Sequence, residues 1–175
     1  MAMEALGRII DLGTGIAPYD TNAGAGTGKR VNLQDAGGIT IVVYKGAGSG
    51  TDDPVLTFQQ HTLSSGGTTS NLATIDHYYG KTEAALDNDE AWVKTTQAAS
   101  QTVTLTGSAQ LQGIFVFEIE ADDLADGYAW VSVNIADTGS AGAQLGAVLY
   151  ILRDLHVQRK PTNLGNLLSP GSANA

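Results

Sequence analysis

The sequence holds no cysteine, which excludes disulfide staples and thiolate metal sites. It is poor in cations: nine Lys and Arg against eighteen Asp and Glu give a formal net charge of −9. Proteins that grip DNA or RNA cluster Lys and Arg against the phosphates. No such cluster occurs, so neither nucleic acid nor an anionic membrane surface is an expected partner. Long apolar runs are missing as well. Residues 1–12 contain none of signal-peptide length, and the longest, Leu145 to Leu152, is far short of the roughly 20 residues that span a bilayer. The expectation is a soluble chain made in a cytoplasm.

Glycine, by contrast, is abundant. There are 22, where a chain of 175 residues ordinarily has about 12. Gly and β-branched residues weaken helices and suit short strands joined by tight turns. The length fits one domain, large enough to build a core without staples.

The alternation of apolar and polar residues predicts about eight strands. Ile39 to Lys45 is a dense β-branched run, expected at the centre of a sheet. Val55 to His61 alternates, with Leu56 and Phe58 inward. Leu72 to Tyr79 follows a Gly/Ser turn, with Ile75 inward. Short strands are expected around Trp92 and Val93 and over Thr102 to Thr106. Ile114 to Glu120 puts Phe115, Phe117 and Ile119 on one face, while on the other Ile114 and Val116 give way to Glu118 and Glu120. Ala121 to Asp126 is the best candidate for a helical turn, closed by Gly127. Tyr128 to Ile135 places Val131, Val133 and Ile135 inward and Tyr128 and Trp130 on the opposite face. Leu145 to Leu152 is apolar throughout, hence expected to be another central strand. Many short strands at such intervals predict an all-β fold, an antiparallel β-sandwich of jelly-roll or Greek-key type. Residues 1–36 read as an N-terminal arm, 37–157 as the sandwich core and 158–175 as a C-terminal tail. Within the arm, Thr21 to Gly28 is nearly free of side chains and reads as a flexible loop.

Motifs of catalysis are absent. Ala23 to Arg30 imitates a phosphate loop, but Ala23 stands where the first Gly belongs and Arg30 where Ser or Thr belongs, and no helix is expected to follow. Gly46 to Gly50 follows a strand but leads into Thr51-Asp52-Asp53-Pro54, not a helix. Asp52-Asp53 and Asp87 to Glu90 offer oxygens to a hard cation, yet lack EF-hand spacing. His61, His77 and His156 have no ligand or catalytic partner at short range, and no Gly-x-Ser-x-Gly elbow seats a nucleophile. The expectation is no enzyme, no cofactor and no metal. Trp130 and Tyr128 either pack a second core layer or form an exposed aromatic patch for a subunit or a sugar.

From Ile41 to about Arg159 the chain resembles a family of small virion proteins encoded among tailed-bacteriophage head and tail genes. The resemblance spans about two thirds of the chain and is carried by Val43 to Thr57, Asn71 to Tyr79, Ala91 to Ala98, Val131 to Gly139 and Ala143 to Leu152. It implies a capsid decoration or cement protein on the virion surface, made in the bacterial host cytoplasm. Its partners would be the major capsid protein and further copies of itself, as a dimer or trimer. A tail or neck component, or a carbohydrate-binding sandwich on the virion, is the alternative. Extended arms with scattered apolar anchors suit strand addition to a neighbour. The candidate interface residues are Ile9, Ile10, Val31 and Leu33 in the N-terminal arm, Tyr128 and Trp130 in the core, and Leu164, Leu167 and Leu168 in the tail.

Overall fold

The computed structural model describes residues 5–139 and 142–163. Two antiparallel sheets stack face to face. The first has six strands, in the order β1 (Ile10–Asp20), β11 (Leu145–Leu155), β3 (Ala36–Lys45), β9 (Gln112–Glu120), β6 (Ile75–Glu83) and β7 (Val93–Ser100). In the second, β2 (Val31–Asn32), β10 (Trp130–Ile135), β4 (Val55–His61) and β5 (Thr69–Asn71) lie in that order, and β8 (Thr102–Thr104) also pairs with β4. The fold is thus the expected all-β sandwich. The wind β1-β11-β3-β9 over β2-β10-β4-β8 is that of a jelly roll. The β6–β7 hairpin is inserted between β4 and β8 and adds to the β9 side of the first sheet.

The core fills the space between the sheets. Phe58 of the second sheet meets Phe117 of the first at 5.1 Å between ring centroids, and Tyr78 packs on Phe117 at 5.2 Å. Ile39, Ile41, Leu56, Val131, Val133 and Tyr150 are buried around them. The expected inward residues Leu56, Phe58, Ile75, Phe115, Phe117 and Ile119 all occupy this layer. The expected helical turn is a short 3-10 turn over Ala121–Asp123, and Gly127 takes φ 85° four residues later.

The arm is where sequence and structure part. Residues 10–20 are an edge strand of eleven residues, paired with β11 from Ile10↔Arg153 to Asp20↔Leu145. Two register breaks, between Thr14 and Ile16 and between Ile16 and Tyr19, scramble the alternation, and Pro18 is tolerated because the strand lies at an edge. The boundary drawn at residue 36 therefore falls at the start of β3, inside the sandwich.

The loop after β1 is not slack either. Gly26 and Ile135 exchange two backbone hydrogen bonds, and Gly28 N–H donates to Asn134 Oδ1 at 2.9 Å. This segment runs along the open side of β10. Gly26 and Gly28 lie on its buried side, and a Cβ on Gly28 would stand 2.0 Å from Val133 O. These glycines serve close approach rather than flexibility.

Candidate docking surface

The outward faces of the two sheets have opposite chemistry. On the second sheet the residues facing away from the core are mostly polar and bonded to one another, with Val55 and Trp130 the apolar exceptions. Asn134 Nδ2 donates to Gln59 Oε1 at 2.9 Å. The His61 ring lies between Thr69 Oγ1 at 2.9 Å and Ser132 Oγ at 2.8 Å. Burial, with the Arg30 charge adding to it, lowers the His61 pKa to about 4, so the ring is neutral at physiological pH. Arg30 itself donates to Leu63 O and Gly66 O, closing the loop beyond β4.

On the first sheet the outward face is apolar. Register places Leu149 beside Thr14 and Val42, Val42 beside Val116, and Val116 beside Tyr79. The next row runs Ala147, Tyr44, Ile114 and Lys81. The row on the other side runs Leu12, Ile151, Thr40 and Glu118, apolar on β1 and β11 and polar on β3 and β9. Leu145 is 62% exposed, Tyr44 54%, Leu12 49% and Leu149 42%. A shallow hollow in this face is lined by Thr14, Pro18, Val42, Tyr44, Ala147 and Leu149. Single exposed apolar residues are ordinary, whereas a contiguous patch across four strands marks an interaction surface. Charge stays at its margins. Arg153 pairs with Glu120 and Asp154 at one end. On the far flank the Lys81 ammonium sits 5.1 Å from the Trp92 ring centroid, and that of Lys94 5.8 Å from Tyr79.

The sequence-derived interface residues fare unevenly. Val31 and Leu33 are 0% and 2% exposed. They are core residues rather than anchors for a partner, because β2 and the turn after it close one end of the sandwich. Ile9 is exposed and Ile10 half-buried at the start of β1. Tyr128 and Trp130 are half-buried, with Trp130 in register between Asn32 and His61 on the polar sheet. Leu164, Leu167 and Leu168 lie outside the described residues. The residues that do make the apolar face, Leu12, Tyr44, Leu145 and Leu149, lie on β1, β3 and β11. β11 is apolar on both faces, and only one of them is covered.

The acidic positions have structural occupations. Asp53 accepts the N–H groups of Gly107, Ser108 and Ala109 at 2.7–2.9 Å. Nearby, buried Lys45 donates to Ser108 O and Leu111 O at 2.5 and 2.6 Å, and burial lowers its pKa to about 8. Together they hold the loop between β8 and β9. At the β6–β7 tip, carboxylate oxygens of Glu83, Asp87, Asp89 and Glu90 lie within 4.8 Å of one another. They are donors of the type a hard cation takes, though Asp87 and Glu90 already accept backbone N–H groups. The Glu83 pKa is raised, by desolvation first and then by its acidic neighbours. No helix among the described residues is long and apolar enough to cross a membrane.

No protein-family model, curated protein or solved structure matches this chain.

Proposed function

We propose that the chain is a non-catalytic structural protein of a tailed-bacteriophage particle, a decoration or cement protein that seats on the capsid surface at capsomer junctions. The observation that carries this reading is the uncovered apolar face of the six-stranded sheet. Antiparallel sheets commonly carry a polar outward face, and the outward positions of the second sheet are mostly polar and hydrogen-bonded to one another. A face built of Leu12, Val42, Tyr44, Leu145 and Leu149 instead needs a cover. The jelly roll by itself supports many functions, in capsid proteins and lectins alike, so the reading rests on that face and on the family resemblance. The partner is the major capsid protein, and binding works by burying apolar surface, with no cofactor or metal. Removing that area from water is worth roughly 25 cal/mol per Å² before the costs of association.

Add-back to particles prepared without the protein tests this. The purified chain is expected to co-sediment with such particles and to raise their resistance to heat. A Leu149→Glu, Tyr44→Ser variant is expected to stay folded and remain in the supernatant. Equal binding by that variant would remove the apolar face from the account.

A further inference from the structure

Two lysines border the apolar face without a counter-charge. Lys81 of β6 lies opposite Ile114 of β9, and Tyr79 lies between Val116 of β9 and Lys94 of β7. Trp92 stands just before β7. Each ammonium rests on a ring of the neighbouring strand, at 5.1 Å for Lys81 on Trp92 and 5.8 Å for Lys94 on Tyr79. Among the described residues neither lysine forms an ion pair with a carboxylate. The other end of the face is matched within the chain. Arg153 is bonded there to Glu120 and Asp154, and it also feels the charge of Glu118. Glu83, Asp87, Asp89 and Glu90 gather with one another at the hairpin tip, and the two ammonium groups stay on their rings.

We propose that the capsid surface seated on this face carries carboxylates opposite Lys81 and Lys94, and that these two lysines select the partner and fix its orientation. The inference rests on docking through the apolar face. A specific interface covers about 800 Å² of each partner, a disc with a radius of about 16 Å. Neighbouring strands lie about 4.8 Å apart, so Lys81, two strands from Tyr44, is about 10 Å from it, and Lys94, three strands from Val42, is about 14 Å away. A contact of ordinary size centred on β3 therefore reaches both lysines. Covering them strips water from two ammonium groups, which is costly unless an opposite charge takes its place. The rings of Trp92 and Tyr79 replace only part of the lost hydration. A partner with apolar side chains alone would leave both charges covered and unmatched, and one with cations there would be repelled. Carboxylates satisfy both lysines. Because Arg153 is already matched at the opposite end, a partner seated end for end would lose this complement.

Particles prepared without the chain are the probe, and affinity is read by co-sedimentation over a concentration series. Three double variants are compared with wild type: Lys81→Arg with Lys94→Arg, Lys81→Gln with Lys94→Gln, and Lys81→Glu with Lys94→Glu. The arginine pair keeps the charge and the stacking on the rings, and is expected to bind as wild type does. The glutamine pair is expected to bind about ten-fold or more weakly. The glutamate pair is expected to bind more weakly still, because carboxylate then faces carboxylate. Raising the salt from roughly 0.05 to 0.5 M is expected to narrow the gap between the glutamine and glutamate pairs, since screening acts on charge alone. Circular dichroism is expected to be unchanged throughout. Wild-type affinity in the glutamine pair, with Leu149→Glu, Tyr44→Ser still unable to bind, would overturn the proposal and leave the apolar face in place. A glutamate pair no weaker than the glutamine pair would overturn it too, because the lysines would then meet no negative charge. Failure of the wild-type chain to bind, or equal binding by Leu149→Glu, Tyr44→Ser, would remove the docking face itself and this inference with it.

Discussion

The Tyr150 hydroxyl accepts the Val133 backbone N–H at 3.1 Å and donates to Lys29 O at 3.0 Å. Tyr150 belongs to β11 in the first sheet and Val133 to β10 in the second, so one phenol spans the sandwich. β2 pairs with only Trp130 and Val131, so beyond it the Val133 N–H has no neighbouring strand. The phenol supplies the missing acceptor and anchors the loop that carries Lys29. Tyr150 is fully buried, which pushes its pKa far above the usual tyrosine range.

Tyr150→Phe keeps the ring and leaves a buried donor and acceptor unpaired. It is expected to cost about 1–3 kcal/mol, read as a lower urea midpoint with an unchanged slope.

Gly28→Ala is expected to destabilise by about 2 kcal/mol or more, because the added Cβ would collide with Val133 O. Thr27→Ala, on the exposed side of the same segment, is expected within about 0.5 kcal/mol of wild type. Paired thermal melts separate a fixed segment from a slack one, since a slack loop would tolerate both.

How much of this was legible in the sequence depends on the element. β3, β4, β9 and β11 announced themselves through unbroken alternation or dense β-branching, and Phe58 and Phe117 were placed correctly as core. β1 did not, because its bulges shift the inward positions and Pro18 and three nearby glycines imitate a linker. The segment from Gly24 to Gly28 did leave a trace: its glycines recur every second residue, the period of a strand pressed against a neighbour on one side. Leu145 to Leu152 reads as a central strand because it is apolar throughout, and the structure covers only one of its faces. Which strands lack a second cover is a property of the whole stack, and no local pattern records it. The alternation singles out Tyr128 and Trp130 as outward aromatics, while Tyr44 and Leu149 carry the exposed surface.

The pH dependence of stability is expected to reflect His61. Its folded pKa, about 4, lies below the unfolded value of about 6.5. The unfolded chain therefore binds the extra proton first, and this contribution is lost as pH falls from about 6.5 through 4, then stays constant below. The loss is on the order of 3 kcal/mol for a depression of that size. Urea titrations at pH 7 and pH 4.5 should show it, with the difference reduced in His61→Gln. An equal pH response in that variant would assign the loss to other groups.

The apolar face carries a separate expectation. Leu149 and Leu145 are exposed at the surface of the isolated chain, so Leu149→Gln or Leu145→Gln should change its unfolding free energy by no more than about 0.5 kcal/mol. The same substitutions should weaken attachment to particles. A large loss of stability in the isolated protein would mean that these side chains already have a cover within it.

Electron cryo-microscopy of purified phage particles containing the chain tests the central claim most directly. The account predicts copies on the outer shell at capsomer junctions, with Leu12, Tyr44, Leu145 and Leu149 turned into contact with capsid subunits. Density confined to the neck or tail, or copies on the shell with that face turned to solvent, would contradict it.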